Sequence, residues 1–181
     1  VLDPLRHSQW NGATPTDLVF PFFLFVVGVS IVLSLSKIKN SNTSTYLKIL
    51  KRTLILFGIG IFLAVFPSFD FSNVRIAGVL QRIALVYFFC SFIYLNSNKS
   101  QQIWIGIFCL IIYWAFLKHV PFGDSLVGIL EPGNNFAAWI DRFITPGRMY
   151  QETWDPEGFF STIPSIATGI SGMFCGHLIL N

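Results

Sequence analysis

Long stretches of apolar residues without a charged side chain alternate along the chain with shorter polar connectors. A helix that crosses the hydrocarbon core of a membrane needs about 20 predominantly apolar residues, within a range of about 17–25. The pattern therefore predicts an all-α, polytopic transmembrane helix bundle with about five spans. We expect the spans at about 17–36, 53–69, 79–97, 102–118 and 159–180, with Arg82 in the first turn of the third.

Composition favours a membrane protein over a soluble domain. Hydrophobic residues make up 53% of the sequence and charged residues only 12%, whereas soluble domains carry roughly 25% charged residues. The three cysteines fall inside predicted spans and no cluster of metal ligands is visible, so we expect neither disulfides nor a metal site. The chain starts at Val1 and stops at Asn181 directly after an apolar run, so we expect a single transmembrane domain over 1–181, truncated at both ends.

The distribution of charge predicts the orientation of the bundle. The connector Lys37–Arg52 has five basic residues and no acidic one, so the positive-inside rule places it in the cytoplasm. The segment before the first span then faces out, as does the long loop over about 119–157, in which acidic residues outnumber basic ones. Within that loop, four apolar residues recur at helical spacing and predict a short helix: Phe136, Ile140, Phe143 and Ile144. Asp141 lies outside this apolar face.

A histidine and an aspartate stand just before the first span. His7 lies in a loop, and the segment from Thr14 to Asp17 is typical of a helix start, with Thr14 as N-cap and Pro15 at the first helical position. An imidazole can act as a general base or a nucleophile, and a carboxylate can orient it and stabilise its protonated form. The alternatives are a solvated loop histidine and a carboxylate that only caps the helix.

A second polar cluster, formed by Arg75, Gln81 and Arg82, lies at the outer end of the third span. A continuous helix would place Arg75 and Arg82, which are seven residues apart, on one face. Such a pair can bind an anionic or carbonyl-bearing ligand. The alternative is that both arginines extend their charged ends to the membrane interface and bind nothing.

A third cluster, formed by Trp154, Asp155 and Glu157, leads into the last span. The two carboxylates can accept hydrogen bonds from the hydroxyl or amine groups of a sugar, and the indole can stack against its ring. The alternative is a capped helix start with a tryptophan at the membrane interface.

Three motifs together resemble one known family. His7–Ser30, Arg75–Tyr87 and Trp154–Gly172 occur here in the order found in the heparan-alpha-glucosaminide N-acetyltransferase family of multipass membrane acetyltransferases, which has many bacterial members. The Trp-Asn-Gly-x-Thr-x-x-Asp-Leu core of the first motif is the most specific. The resemblance implies that acetyl-CoA in the cytosol, as co-substrate, donates an acetyl group to an amino sugar or other glycan acceptor on the non-cytoplasmic side.

The resemblance also implies roles for individual residues. The family's active-site histidine falls on His7, which either deprotonates the acceptor or carries the acetyl group, and its nearby Asn and Asp fall on Asn11 and Asp17. We expect six further residues to bind substrate: Gln81, Arg82, Arg75, Trp154, Asp155 and Glu157. The expected partners are the lipid bilayer, the glycan and a second copy in a homodimer, with no nucleic acid. In a bacterium the location would be the inner membrane.

Two other classes of protein fit the same residues. In a transporter or channel subunit the polar groups would line a substrate or proton path, and Pro21 and Gly28 would mark a broken first helix. In a non-catalytic scaffold of the cell envelope, neither His7 nor Asp17 would matter. Labelling by acetyl-CoA separates the enzyme from the transporter.

Overall fold

The computed structural model describes residues 5–38, 42–71, 73–124 and 127–180, so Lys39 of the basic connector lies outside the described residues. The chain is mostly helical, as the sequence predicts. Its α-helices are α1 (Val19–Leu35), α2 (Thr43–Val65), α3 (Val79–Asn96), α4 (Lys99–His119), α5 (Phe136–Ile144) and α6 (Thr162–Leu180). A short 3-10 helix, Pro15–Leu18, leads into α1, and two strands that the sequence does not predict, β1 (Leu130–Glu131) and β2 (Asn134–Asn135), form a small antiparallel hairpin.

The chain enters α1 as predicted. Thr14 is the N-cap of the 3-10 turn, and the carboxylate of Asp17 accepts a hydrogen bond of 2.8 Å from the backbone N–H of Thr14. Pro21 falls in the first turn of α1, where a proline is tolerated. The helix then continues unbroken through Gly28, so the broken first helix that would favour a transporter is not present in this described segment.

The core of the bundle lies between α1 and α6, which run parallel to each other. Glycines let the two backbones meet: a Cβ added at Gly28 would overlap the carbonyl of Gly169, and one added at Gly172 would overlap the carbonyl of Phe25. Small residues at a membrane helix interface allow this close approach. Buried apolar side chains from α1, α3 and α6 complete the core: Leu24, Ile31, Val32, Val86, Cys90, Ile170 and Met173.

The parallel arrangement decides which loops share an end of the bundle. Because α1 and α6 start at the same end, the loop that contains His7 and the segment that contains Asp155 lie at that end. α2 runs antiparallel to α3, since Gly60 meets Gln81 near the start of α3 and the Tyr46 hydroxyl donates to Asn96 Oδ1 (3.0 Å) at its end. The basic residues of α2 therefore lie at the opposite end of the bundle from His7.

α2 departs from the predicted second span, 53–69. The helix ends at Val65, because Pro67 restricts Phe66 to an extended conformation, with a ψ of 138°. In the described part of the chain, four helical segments are long and apolar enough to cross a membrane: Pro15–Leu35, Val79–Asn96, Lys99–His119 and Thr162–Leu180. The prediction of about five spans is not confirmed, since the N-terminal half of α2 carries three basic residues.

The long outer loop covers the end of the bundle near α4. Its predicted short helix is confirmed as α5, which starts where the Asn135 side chain accepts a hydrogen bond of 2.9 Å from the backbone N–H of Ala138. Phe136 of α5 contacts Phe116 of α4, with ring centroids 5.2 Å apart. The loop is thereby held over the outer ends of the helices.

Candidate active site

His7 and Asp17 form a direct pair at the start of α1. His7 Nδ1 lies 2.8 Å from Asp17 Oδ1, while Asp17 Oδ2 accepts hydrogen bonds from the backbone N–H groups of Ser8 (3.2 Å) and Thr14 (2.8 Å). The carboxylate is thus fixed, and the imidazole is 75% exposed. A carboxylate oxygen at Nδ1 favours the neutral tautomer with its proton there, which leaves the lone pair of Nε2 free. This is the orientation that a general base or a nucleophile requires.

The loop between His7 and the 3-10 helix is anchored to the outer loop. Trp10 Nε1 donates a hydrogen bond of 2.7 Å to the carbonyl oxygen of Leu130, and its ring meets that of Trp154 edge to face at a centroid distance of 5.2 Å. Gly12 has a φ of +106°, a conformation that glycine adopts without strain. Asn11 lies exposed between these two fixed residues.

A cavity of about 320 Å³ opens beside this loop, where α4, α5 and the segment before α6 meet. Trp10 and Trp154 contribute its aromatic surface. Its polar lining residues are Tyr113, Asn135, Asp141, Asp155 and Ser161. Among the described residues, the lining includes Trp10 but not His7. Indole rings next to carboxylates suit a ligand with an apolar ring face and polar edges.

Arg75 connects the segment before α3 to the segment before α6. Its Nε donates to Asp155 Oδ2 (2.7 Å) and its Nη2 to Asp155 Oδ1 (2.5 Å) and to Glu157. The side chain of Asp155 is 0% exposed and also accepts hydrogen bonds from the backbone N–H groups of Tyr150 (3.0 Å) and Glu157 (2.9 Å). The hydrogen bond to Asp155 raises the pKa of Arg75 above its ordinary value. Both oxygens of Asp155 are therefore occupied by groups of the protein itself.

Replacing Arg75 by Met is expected to lower the free energy of unfolding by about 3 kcal/mol, because the buried charge of Asp155 loses its partner. The change is measured as a fall in the thermal midpoint of the detergent-purified protein. Arg148→Met is the control, since Arg148 is exposed and contacts Val74 only through its backbone. Equal midpoints for the two variants would contradict a stabilising role for the Arg75–Asp155 pair.

Arg75 and Arg82 do not lie on one helix face. α3 begins at Val79, so Arg75 lies outside the helix, and the prediction that a continuous helix places it on one face with Arg82 is wrong. Gln81 is buried against Gly60 of α2, where an added Cβ would overlap its amide. A cavity of about 250 Å³ is lined by both Gln81 and Arg75 on this side.

Arg82 faces the start of α6. Its Nη2 donates to the carbonyl oxygen of Gly158 (2.8 Å) and to the hydroxyl of Ser161. The residue is only 7% exposed, and within the described ranges its Nε has no hydrogen-bond partner. The guanidinium lies 5.8 Å from the ring centroid of Phe20. A buried guanidinium with one unpaired N–H can donate to an anionic or carbonyl oxygen.

Asp141 is a site residue that the sequence analysis missed. It is 2% exposed, and its Oδ1 accepts a hydrogen bond of 2.9 Å from the backbone N–H of Phe160. Burial raises the pKa of this carboxyl above its ordinary value, and the bond from Phe160 opposes that effect. The sequence does contain a signal for this position, because Asp141 follows the small residues Ala137 and Ala138 by four and three positions and so shares their helix face. All three residues are buried.

Relatives match nearly the whole chain. A profile of the family described as "Heparan-alpha-glucosaminide N-acetyltransferase, catalytic" matches residues 5–181. The heparan-alpha-glucosaminide N-acetyltransferase of Mus musculus is 29% identical in a gapped alignment 228 residues long, which covers 97% of this chain and 35% of that protein. The protein of the same name from Homo sapiens is 30% identical in a gapped alignment 230 residues long, which covers 97% of this chain and 34% of that protein. The chain thus spans about a third of the length of these relatives. Because the profile covers all three motifs, the chain belongs to the heparan-alpha-glucosaminide N-acetyltransferase family.

Proposed function

We propose that the complete protein is a membrane acetyltransferase that moves an acetyl group from cytosolic acetyl-CoA to an amino sugar or other glycan on the non-cytoplasmic side. The observation that carries this proposal is the 2.8 Å contact of His7 Nδ1 with Asp17 Oδ1 at the mouth of a membrane-spanning segment. Ionisable residues in or next to membrane spans commonly mark functional sites. Membership of an acetyltransferase family supports the reaction type.

In the proposed reaction, His7 Nε2 takes either the proton of the acceptor or the acetyl group itself. The bond from the acetyl carbon to sulfur breaks, a bond to the acceptor nitrogen or oxygen forms, and the acceptor proton leaves with the thiolate as free CoA thiol. Asp17 stabilises the imidazolium that forms on the way. Asn11 donates a hydrogen bond to the thioester carbonyl or to the acceptor.

The acceptor is proposed to enter the cavity of about 320 Å³ that is lined by Trp10, in the loop that follows His7. Trp154 presents its ring there, and its contact with Trp10 links the cavity to the loop that contains His7. Arg75, Asp155 and Glu157 shape this entrance through their ion pairs, which leave the Asp155 oxygens occupied. Arg82, with its unpaired Nε, is the group proposed to hold an oxygen of the ligand. Gln81 is proposed to bind ligand separately, from the cavity of about 250 Å³ that it lines.

We also propose that α2 is a fifth membrane crossing. It lies antiparallel along the whole of α3, from Gly60 beside Gln81 to Tyr46 beside Asn96, and α3 is itself long enough to span. The 23 residues of α2 extend about 34 Å. The crossing by α1 places His7 on the side opposite the basic connector, which the positive-inside rule assigns to the cytoplasm. In a bacterium this topology corresponds to the inner membrane with His7 facing out.

The proposal is tested with the complete protein in detergent, incubated with acetyl-labelled acetyl-CoA and a panel of amino sugars. We expect the wild type to label a sugar and His7→Ala to lose the activity by about a thousandfold or more. His119→Ala is the matched control, since His119 lies at the end of α4 against Trp114. Full transfer by His7→Ala would refute the role of His7, and an absence of transfer by the wild type with every amino sugar would favour a transporter.

A further inference from the structure

A further cavity, lined by basic and apolar side chains, lies at the end of the bundle opposite His7, between the C-terminal end of α1 and the N-terminal half of α2. Its volume is about 480 Å³. Three basic residues of α2, namely Lys48, Lys51 and Arg52, line it together with Ser34 of α1 and Tyr87 of α3. None of the motifs of the family resemblance includes the three basic residues, and the proposed transfer reaction does not use them.

These three cations have no acidic partner within the described ranges. The connector and helix start from Lys37 to Arg52 contain no Asp or Glu, and no ion pair is formed there by Lys48, Lys51 or Arg52. They lie about 8–14 Å along α2 from its first residue, Thr43. Positive charge at that depth beside a membrane is stabilised by an anion that reaches it.

The face of α2 beyond the basic residues is apolar and exposed. Ile55 lines the same cavity and is 50% exposed, and the exposed side chains of Ile59 and Phe62 follow it at helical spacing. A ligand that fills the cavity and continues along this face therefore needs a negative group at one end and a long apolar part at the other.

We propose that this cavity binds an anionic membrane phospholipid, with its phosphate held by Lys48, Lys51 and Arg52 and an acyl chain along Ile55 and Ile59. The hydroxyl groups of Ser34 and Tyr87 provide further donors to the headgroup. The lipid would fix the basic half of α2 against α1. This proposal does not depend on the acetyltransferase activity.

The test is native mass spectrometry of the complete protein titrated with phosphatidylglycerol or with phosphatidylcholine of the same acyl chains. We expect the wild type to retain one phosphatidylglycerol in preference to phosphatidylcholine. A Lys48→Gln, Arg52→Gln double variant is expected to reduce that preference about thirtyfold, because each basic residue contributes about a five- to sixfold factor. The matched control is a Lys37→Gln, Lys99→Gln double variant, which removes two positive charges from the same end of the bundle, opposite His7.

Retained preference in a Lys48→Arg, Arg52→Lys variant, which keeps the charges, supports a site rather than a folding effect. Three results would overturn the proposal. They are equal retention of the two lipids by the wild type, an equal loss in the control variant, and a loss of acetyl-CoA affinity in the Lys48→Gln, Arg52→Gln variant with unchanged lipid preference. The last result would assign the cavity to the phosphates of the nucleotide.

Discussion

Asp17→Asn is expected to lower kcat for acetyl transfer by about three to four orders of magnitude while the protein stays folded. The asparagine keeps a carbonyl oxygen that can accept the hydrogen bond from the backbone N–H of Thr14, so the start of α1 is retained. Its amide N–H, placed against His7 Nδ1, favours the tautomer with the proton on Nε2. The nitrogen that faces the acceptor then has no lone pair, and neither proton abstraction nor acetylation can proceed.

This prediction is checked by measuring kcat at saturating acetyl-CoA, together with the thermal midpoint. Asp124→Asn is a matched control, because Asp124 is an exposed aspartate of the outer loop and should keep the wild-type rate. If Asp17→Asn kept more than about a tenth of the wild-type rate, Asp17 would only cap the helix and would have no catalytic role. An intact midpoint with lost activity separates catalysis from stability, which the Arg75→Met variant tests on its own.

The second large effect is expected from Gly172→Ala, which should lower the stability of the bundle by about 3 kcal/mol or more. The new methyl group would overlap the carbonyl of Phe25, and backbone cannot move aside as a flexible side chain can. α1 and α6 would have to separate, and their apolar side chains would lose contact around Met173, which is fully buried. Thermal unfolding monitored by size-exclusion chromatography in detergent measures the loss.

Gly58→Ala provides the comparison for that experiment. Gly58 is also a helical glycine, in α2, but an added Cβ there meets nothing within 4 Å. Alanine is favoured over glycine in a helix, so this variant should be as stable as the wild type or slightly more stable. If Gly172→Ala unfolded at the same temperature as Gly58→Ala, the close approach of α1 and α6 would not limit stability.

The sequence predicts the membrane helices well because the requirement for a long apolar run is local. α1, α3, α4 and α6 coincide with predicted spans to within a few residues. The apolar run through Phe69 conceals the end of α2, which depends on the single effect of Pro67 on the preceding residue. α3 starts at Val79, as predicted, and the idea that a helix continues back to Arg75 was wrong because it rested only on the spacing of two arginines.

The candidate site also contains contacts that the local sequence predicts and contacts that it does not. The pairing of His7 with Asp17 follows from ten residues of local sequence, since the N-cap turn brings the carboxylate back towards the loop. Arg75 and Asp155 form an ion pair although they are 80 residues apart in the sequence, and no pattern near either residue indicates it. Asp141 is not predicted as a site residue because it lies outside the face formed by the large apolar residues of α5, whereas Ala137 and Ala138 lie with it on the buried side.

The pairing of α1 with α6 has a consequence for the biogenesis of the protein. The helices α2 to α5 are synthesised between these two, so at about 10 residues per second α1 waits on the order of ten seconds for α6. Throughout that interval the surface around Gly28 has only lipid, the insertion machinery or a provisional helix to cover it. The contact between α1 and α6 therefore forms only after α6 has been made, and a ribosome that stalls before α6 leaves an insertion intermediate with an uncovered helix surface, a substrate for membrane quality-control proteases.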